Sequence, residues 1–157
     1  MSREIKVRVW DAGKGRMVRP EDHRLSMYIG IDDGGLIYAD VFEAPERSEH
    51  ITIMQYTGLK DKNGVEIYED DIIRVGFLPY TSEDENGNDV DAYEETWIQE
   101  ATWTASGVVL YAPSGHDVFG EYSSTTLEWA VESGEYDCEV IGNIHQTPQL
   151  LQGGESE

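Results

Sequence analysis

Hydrophobic and polar residues alternate along most of this chain, in short segments that turn-forming residues separate. In residues 5–10 every second residue is Ile or Val, which is the pattern of a strand with one face in a core. Similar segments follow at residues 16–18, 26–31, 36–42, 51–56, 71–77, 96–104, 107–111, 118–122 and 138–144. The pattern predicts a mainly β protein, built of short antiparallel strands with few short helices.

Three segments depart from simple alternation. Asn63-Gly64 is the strongest turn signal, and residues 67–70 are predicted to form a single helical or irregular turn. Pro148 is suited to open a final helical turn. Residues 127–131 contain good helix formers, but the regular spacing of the surrounding strands favours a strand there, with a helix as the alternative.

The predicted elements divide into two subdomains. Residues 1–56 form an N-terminal β subdomain, and residues 57–151 form a C-terminal one that resembles a small SH3-like barrel. The barrel pattern opens at Asp71-Ile72-Ile73-Arg74-Val75 and closes with residues 139–144. An acidic loop at 81–95 interrupts it, and residues 152–157 are a polar tail.

Charge is distributed unequally between the two halves of the chain. The 157 residues include 11 Lys or Arg and 32 Asp or Glu, for a net charge of −21. Every basic residue precedes Val75, so residues 1–74 carry a net charge of −4 and residues 75–157 one of −17. Such a field repels phosphate backbones and anionic membranes, so we expect neither direct nucleic acid binding through the acidic half nor membrane binding. A solubility surface is the default explanation. Nucleic-acid mimicry, cation binding and attraction to a basic partner are the alternatives.

The chain has the features of a cytoplasmic protein. Cys138 is its single cysteine, so no intrachain disulfide forms, and a reducing compartment fits. The charged start lacks the apolar stretch of a signal peptide. No apolar run approaches the roughly 20 residues that a membrane helix needs.

Catalytic, metal and cofactor signals are weak. Asp61-Lys62-Asn63-Gly64 and the acidic residues 84–91 each match only part of a calcium-binding loop. Ser114, His116 and Asp117 are neighbours on a predicted turn, where they do not face one another as a triad would. Cys138 is predicted to pack in a core, and phosphate-binding loops are absent. We therefore predict a protein that is not an enzyme and has no cofactor or metal.

Three blocks resemble the YopX family of phage and prophage proteins, in that family's order. They are Arg3–Asp11, Ile53–Ile73, and Glu139–Ile144 followed by Pro148 and Leu150-Leu151. The most specific match is Gln55-Tyr56-Thr57-Gly58-Leu59-Lys60-Asp61-Lys62-Asn63-Gly64. Glu69-Asp70-Asp71 departs from the Glu-Gly-Asp usual in the family, and Asp accepts a positive φ less readily than Gly.

The resemblance implies a phage-encoded protein of the bacterial cytoplasm, without an assigned activity, that forms homo-oligomers, with a trimer as one expected assembly. The charges suggest an interface for it. Lys6, Arg8 and Arg16 are predicted to share a solvent face, which would suit the acidic half of another copy. Gln55, Tyr56, Lys60 and Tyr68 flank the Asn63-Gly64 turn, and we select them as candidate binding residues.

Three hypotheses follow for the function. The first is a non-enzymatic, self-assembling accessory protein that binds a host or phage macromolecule, such as a basic protein. The alternative is an acidic mimic of nucleic acid that inhibits a host DNA-binding or defence protein. A metal-dependent hydrolase is the third and least supported.

Overall fold

The computed structural model describes residues 6–19, 21–22, 26–31, 33, 37–43, 46–47, 50–77, 82–83, 89–90, 96–104, 107–111 and 124–152. These residues form antiparallel β-strands, one α-helix and one 3-10 helix, so the predicted mainly β class is confirmed. The chain divides into two compact units, Met1–Gly58 and Leu59–Glu157. The sequence-based subdomain boundary between residues 56 and 57 stays a prediction.

The first unit contains two small sheets. Its strands are β1 (Val7–Asp11), β2 (Arg16–Val18), β3 (Ser26–Ile31), β4 (Ile37–Glu43), β5 (Glu46–Arg47) and most of β6 (Ile51–Lys60). β1 lies between β2 and β6, with Val9 opposite both Val18 and Ile53. β4 pairs with β3 and β5 in the second sheet. Val9 and Val18 are fully buried, and Ile51 and Ile53 pack against them.

The basic solvent face predicted for the first unit is wrong at Arg8. Arg8 is only 6% exposed, and Lys6 and Arg16 are half-buried. Alternation correctly directs Arg8 away from Val7 and Val9. That side of β1 is covered at Arg8, however, so the Arg8 side chain does not reach solvent.

The second unit has more strands and the α-helix. Its elements are β7 (Glu66–Tyr68), β8 (Asp71–Phe77), β9 (Ser82–Glu83), β10 (Asp89–Val90), β11 (Thr96–Glu100), β12 (Trp103–Thr104), β13 (Gly107–Tyr111), β14 (Ser124–Thr126), α1 (Leu127–Ser133), β15 (Tyr136–Asn143) and the 3-10 helix Pro148–Leu151. The 3-10 helix confirms the predicted turn at Pro148. β7 neighbours β6, whose last residues, Leu59 and Lys60, belong to this unit.

Three further antiparallel groups make up the second unit. β8 lies between β11 and β15, β13 lies between β12 and β14, and β9 pairs with β10. A bulge between Val140 and Gly142 in β15 helps to curl the central sheet, as bulges sharpen strand twist. The predicted barrel-like character is confirmed in the form of a curled half-barrel. The core is apolar and continuous, and its buried members are Ile67, Ile73, Val75, Ala101, Val108, Leu110, Leu127, Ala130, Tyr136 and Cys138.

The strand favoured for residues 127–131 is wrong, because the chain forms α1 there. The Thr126 side chain accepts a hydrogen bond from the Trp129 backbone N–H at 3.2 Å, which caps the first turn. Gly134 ends the helix with a φ of 72°. Leu127 and Ala130, three residues apart, bury one face against the core.

The turn predicted at residues 67–70 is shorter than expected. β7 continues to Tyr68, so the turn is Glu69-Asp70, and Asp70 has a φ of 64°. The chain therefore keeps a left-handed turn at the position where Asp replaces the Gly usual in the family. Ser114, His116 and Asp117, and loop 81–95 apart from the backbone of β9 and β10, lie outside the described residues.

Candidate functional site

Two of the four candidate residues, Gln55 and Tyr56, lie on the part of β6 that belongs to the first unit. Gln55 is half-buried, whereas Tyr56 is buried. The Tyr56 backbone N–H donates to the Lys6 carbonyl at 2.8 Å, and the Lys6 ammonium lies 5.9 Å from the centre of the Tyr56 ring. These contacts brace β6 against the segment that enters β1.

The other two candidates belong to the second unit. Lys60 is exposed at the end of β6, and Tyr68 is buried. The Tyr68 hydroxyl donates to Glu66 Oε2 at 2.9 Å, and its backbone N–H donates to Asp71 Oδ2 at 2.8 Å. Both contacts are local to the β7–β8 turn. A binding role for Gln55, Tyr56, Lys60 and Tyr68 stays a prediction.

Asp61 organises the Asn63-Gly64 turn. Its Oδ1 accepts from the backbone N–H groups of Asn63 and Val65 at 2.8 and 2.9 Å, and its Oδ2 accepts from Val140 N–H at 3.0 Å. The carboxylate is buried and uses both oxygens on amides, which accounts for its place in the turn without a calcium ion. Among the described residues, no three His, Cys, Asp or Glu are grouped to hold a metal.

Cys138 is a core residue, as predicted. Burial, followed by the nearby carboxylates of Asp137 and Asp61, raises the pKa of its thiol to about 12, against a smaller opposing effect of Lys62. The thiol is therefore protonated at neutral pH, whereas nucleophilic chemistry uses the thiolate.

Asp70 and His145 connect two turns of the second unit. His145 Nε2 lies 2.8 Å from Asp70 Oδ2, and the Ile144 backbone N–H donates to the Asp70 carbonyl at 3.0 Å. Asn143, which is buried, accepts from the His145 backbone N–H at 2.9 Å. These contacts fix the left-handed Asp70 against the turn after β15, so the pair has a structural role in the contacts observed.

An open, charged depression lies on the outer face of the central sheet, and we call it the Gly76 hollow. Gly76 faces away from the core on β8, directly opposite Thr96 on β11 and Asp137 on β15. Because Gly76 has no side chain, a space of about 140 Å³ remains between its neighbours. Phe77 and four charged side chains complete the lining: Lys62, Arg74, Asp137 and Glu139.

The charges around the Gly76 hollow are paired with one another. Lys62 Nζ lies 3.2 Å from Asp137 Oδ2 and 4.0 Å from Glu139 Oε2. Arg74 Nη1 lies 3.0 Å from the same Glu139 oxygen. Lys62 and Arg74 are 40% and 48% exposed, so solvent screens these pairs and each contributes at most about 1 kcal/mol.

Phe77, Tyr136 and Trp129 form an aromatic cluster. The Phe77 and Tyr136 ring centres are 5.3 Å apart, and those of Tyr136 and Trp129 are 5.9 Å apart. Trp129 is 47% exposed on α1, between the exposed residues Glu128 and Glu132. Exposed aromatic residues of this kind commonly anchor protein–protein contacts.

Sequence reasoning did not select the residues of the hollow or Trp129. Two signals were present. Gly76 interrupts an otherwise bulky strand, which often marks a close approach, and Arg74 is the last basic residue of the chain. Neither signal shows that Asp137 and Glu139, more than sixty residues away in sequence, lie beside them.

The fold is that of a mainly β protein with a barrel-like second unit. The model of the YopX protein family matches residues 6–152, so the chain belongs to the YopX family, as the resemblance indicated. Among solved structures, the crystal structure of protein EF1440 from Enterococcus faecalis is similar, at 24% identity and a TM-score of 0.46, covering 96% of this chain and 99% of that one. Comparison with curated proteins finds no match. Within the described residues, no helix is long and apolar enough to span a membrane.

Proposed function

We propose that this protein is a non-enzymatic binding protein whose second unit docks onto a basic region of another protein. Charge segregation carries the proposal. From Leu59 onward the chain has 22 Asp or Glu but only three basic residues, Lys60, Lys62 and Arg74. A field of this sign and size speeds encounters with cationic partners and disfavours anionic ones.

The exposed face of α1 supports docking of protein in particular. Trp129 offers an aromatic surface, and the exposed Glu132 lies three residues further along the helix, on a neighbouring position of the same face, with Glu128 one turn before Glu132. A guanidinium or ammonium group can stack on an indole while it pairs with a carboxylate. Lys and Arg side chains of a partner therefore fit this surface, which we call the α1 surface.

The use of reactive groups inside the fold supports a non-enzymatic role. The Cys138 thiol is protonated in the core. Asp61 accepts hydrogen bonds from three backbone N–H groups, and Asp70 contacts His145 and joins two turns. Each of these side chains has a structural task in the contacts described above.

The test compares two variants with equal changes of charge. Glu128→Gln with Glu132→Gln neutralises the α1 surface, whereas Glu21→Gln with Asp33→Asn neutralises two exposed positions of the first unit. We expect the first variant to weaken binding of a short arginine-rich peptide about tenfold, and the second less than about twofold, by calorimetry at physiological salt. Equal losses would reduce the effect to general charge attraction and contradict the proposal.

Mimicry of nucleic acid is a more specific proposal that rests on the same negative charge. If the basic partner is a DNA-binding protein, duplex DNA should displace this protein from it. Binding that is unaffected by saturating DNA would exclude mimicry and leave docking to a basic protein intact.

Self-assembly remains a separate proposal. The burial of Arg8 removes one residue of the expected basic interface, so a charge-driven oligomer would depend on other contacts. Light scattering over a range of concentrations and salt tests it, and a strict monomer at high concentration would contradict it.

A further inference from the structure

The geometry points to the Gly76 hollow as the pocket that receives one Lys or Arg side chain of the basic partner. This inference rests on the proposed function and names a second contact for it, separate from the α1 surface. Open space and two carboxylates meet at this position.

Space is the first requirement for an inserted side chain. A side chain at position 76 would project into the hollow, and its Cβ would lie 3.7 Å from Asp137 Cβ and 3.8 Å from Thr96 Oγ1. Those distances are ordinary van der Waals contacts, so an alanine would fit there without displacing its neighbours. The glycine therefore keeps open a space that the fold does not require to be open.

The lining suits a long cationic side chain. Asp137 and Glu139 stand two residues apart on β15, so both carboxylates face the hollow side of the sheet. Thr96 supplies a hydroxyl that accepts a hydrogen bond.

Lys62 and Arg74 are resident cations that an incoming cation would displace. Each is roughly half exposed and each pairs with carboxylates that the incoming group would use. Exposed pairs of this kind are weak, so the exchange costs little. The Lys62 ammonium in particular lies beside the hollow and competes with the partner for Asp137.

Because of this competition, removal of Lys62 should have opposite effects on the binding of a cation and of an anion. If the hollow receives a cation, removal of Lys62 should strengthen binding. If it receives an anion, Lys62 and Arg74 would be the recognition groups, and removal of Lys62 should weaken binding. This unit has 22 acidic and only three basic residues, and its negative field favours a cation.

The experiment measures binding of an arginine-rich peptide to Lys62→Gln and to the control Lys14→Gln. Lys14 is exposed in the first unit. Both variants replace a Lys with a Gln, so they change the net charge equally. We expect Lys62→Gln to bind about fivefold more tightly than the natural chain and Lys14→Gln to bind less than about twofold more tightly. A weaker Lys62→Gln variant, or equal effects of the two, would overturn the inference.

Two variants of the hollow complete the test. Gly76→Val fills the space without changing charge, and Asp137→Asn removes one carboxylate. We expect each to weaken peptide binding about fivefold to tenfold, with Gly76→Ala as the smaller substitution should valine disturb the fold. Unchanged binding in folded Gly76→Ala and Asp137→Asn overturns the hollow as a pocket. The α1 variants test the proposed function separately, since they leave the hollow intact.

Discussion

The two faces of the central sheet β11-β8-β15 follow different physical rules. On the inner face, Ile73, Val75 and Cys138 are buried in the core. On the outer face, Arg74, Glu139 and Asp137 surround Gly76; Arg74 pairs with Glu139, and Asp137 pairs with Lys62. The same two strands, β8 and β15, supply both sets, because successive side chains of a strand point to opposite faces.

The difference separates stability from binding. Burial of apolar surface stabilises the fold, and a buried position tolerates little change in volume. Exposed ion pairs contribute little, so Arg74, Asp137 and Glu139 are free to vary or to be used for recognition. The following predictions test this division, in order of decreasing effect.

The largest effect is expected at the inner face. Ile73→Ala removes a fully buried side chain at the centre of the sheet and should lower the free energy of unfolding by about 3 to 4 kcal/mol. Urea denaturation measures it. Arg74→Ala, the next residue on the outer face, is the control and should cost less than about 1 kcal/mol. Similar costs for the two would contradict the division between the faces.

The edge of the sheet should give the next effect. Asp61 fastens the 61–65 turn to β15 through Val140 N–H and accepts two further amides. Asp61→Ala leaves these amides without their charged acceptor and should cost about 2 to 3 kcal/mol. Asp137→Ala, an exposed carboxylate with a single ion pair, should cost less than about 1 kcal/mol in the same urea experiment.

The buried thiol predicts a pH dependence. The folded pKa of Cys138 is raised from 9.0 to about 12, so its stabilising contribution is complete below pH 9 and is lost as pH rises toward 12. Within that window each pH unit should remove up to about 1.4 kcal/mol.

Cys138→Ala is the matched variant for this effect, since other groups also titrate at high pH. Its stability between pH 9 and 11 should fall less steeply than that of the natural chain. Parallel curves would mean that Cys138 is not ionised on unfolding in this range. Slow reaction of the native thiol with an alkylating reagent, and fast reaction after unfolding, gives independent support.

The smallest effect is expected from the outer-face pair itself. A double-mutant cycle of Arg74→Ala and Glu139→Ala should give a coupling energy of at most about 0.5 kcal/mol, and about 0.5 M salt should reduce it further. A coupling above about 2 kcal/mol would show that the outer face is a structural network, and would weaken its assignment to binding.

Local pattern was sufficient for much of the second unit. The apolar alternation of residues 71–77 and 138–144 predicted β8 and β15. It failed at residues 127–131, where Thr126 and Gly134 cap a helix that the β-rich surroundings disguised. It failed again at Arg8, because alternation gives the direction of a side chain but not what covers it.

By itself, the sequence determined the mainly β class, the YopX family and the accumulation of negative charge in the second half, because these depend on residue types and their order. Only the tertiary structure decided which distant residues meet. It joins Asp61 to Val140 and Asp70 to His145, and it places Gly76 opposite Asp137. Those contacts depend on strand register and sheet curl, which arise when the whole core packs and which no local pattern encodes.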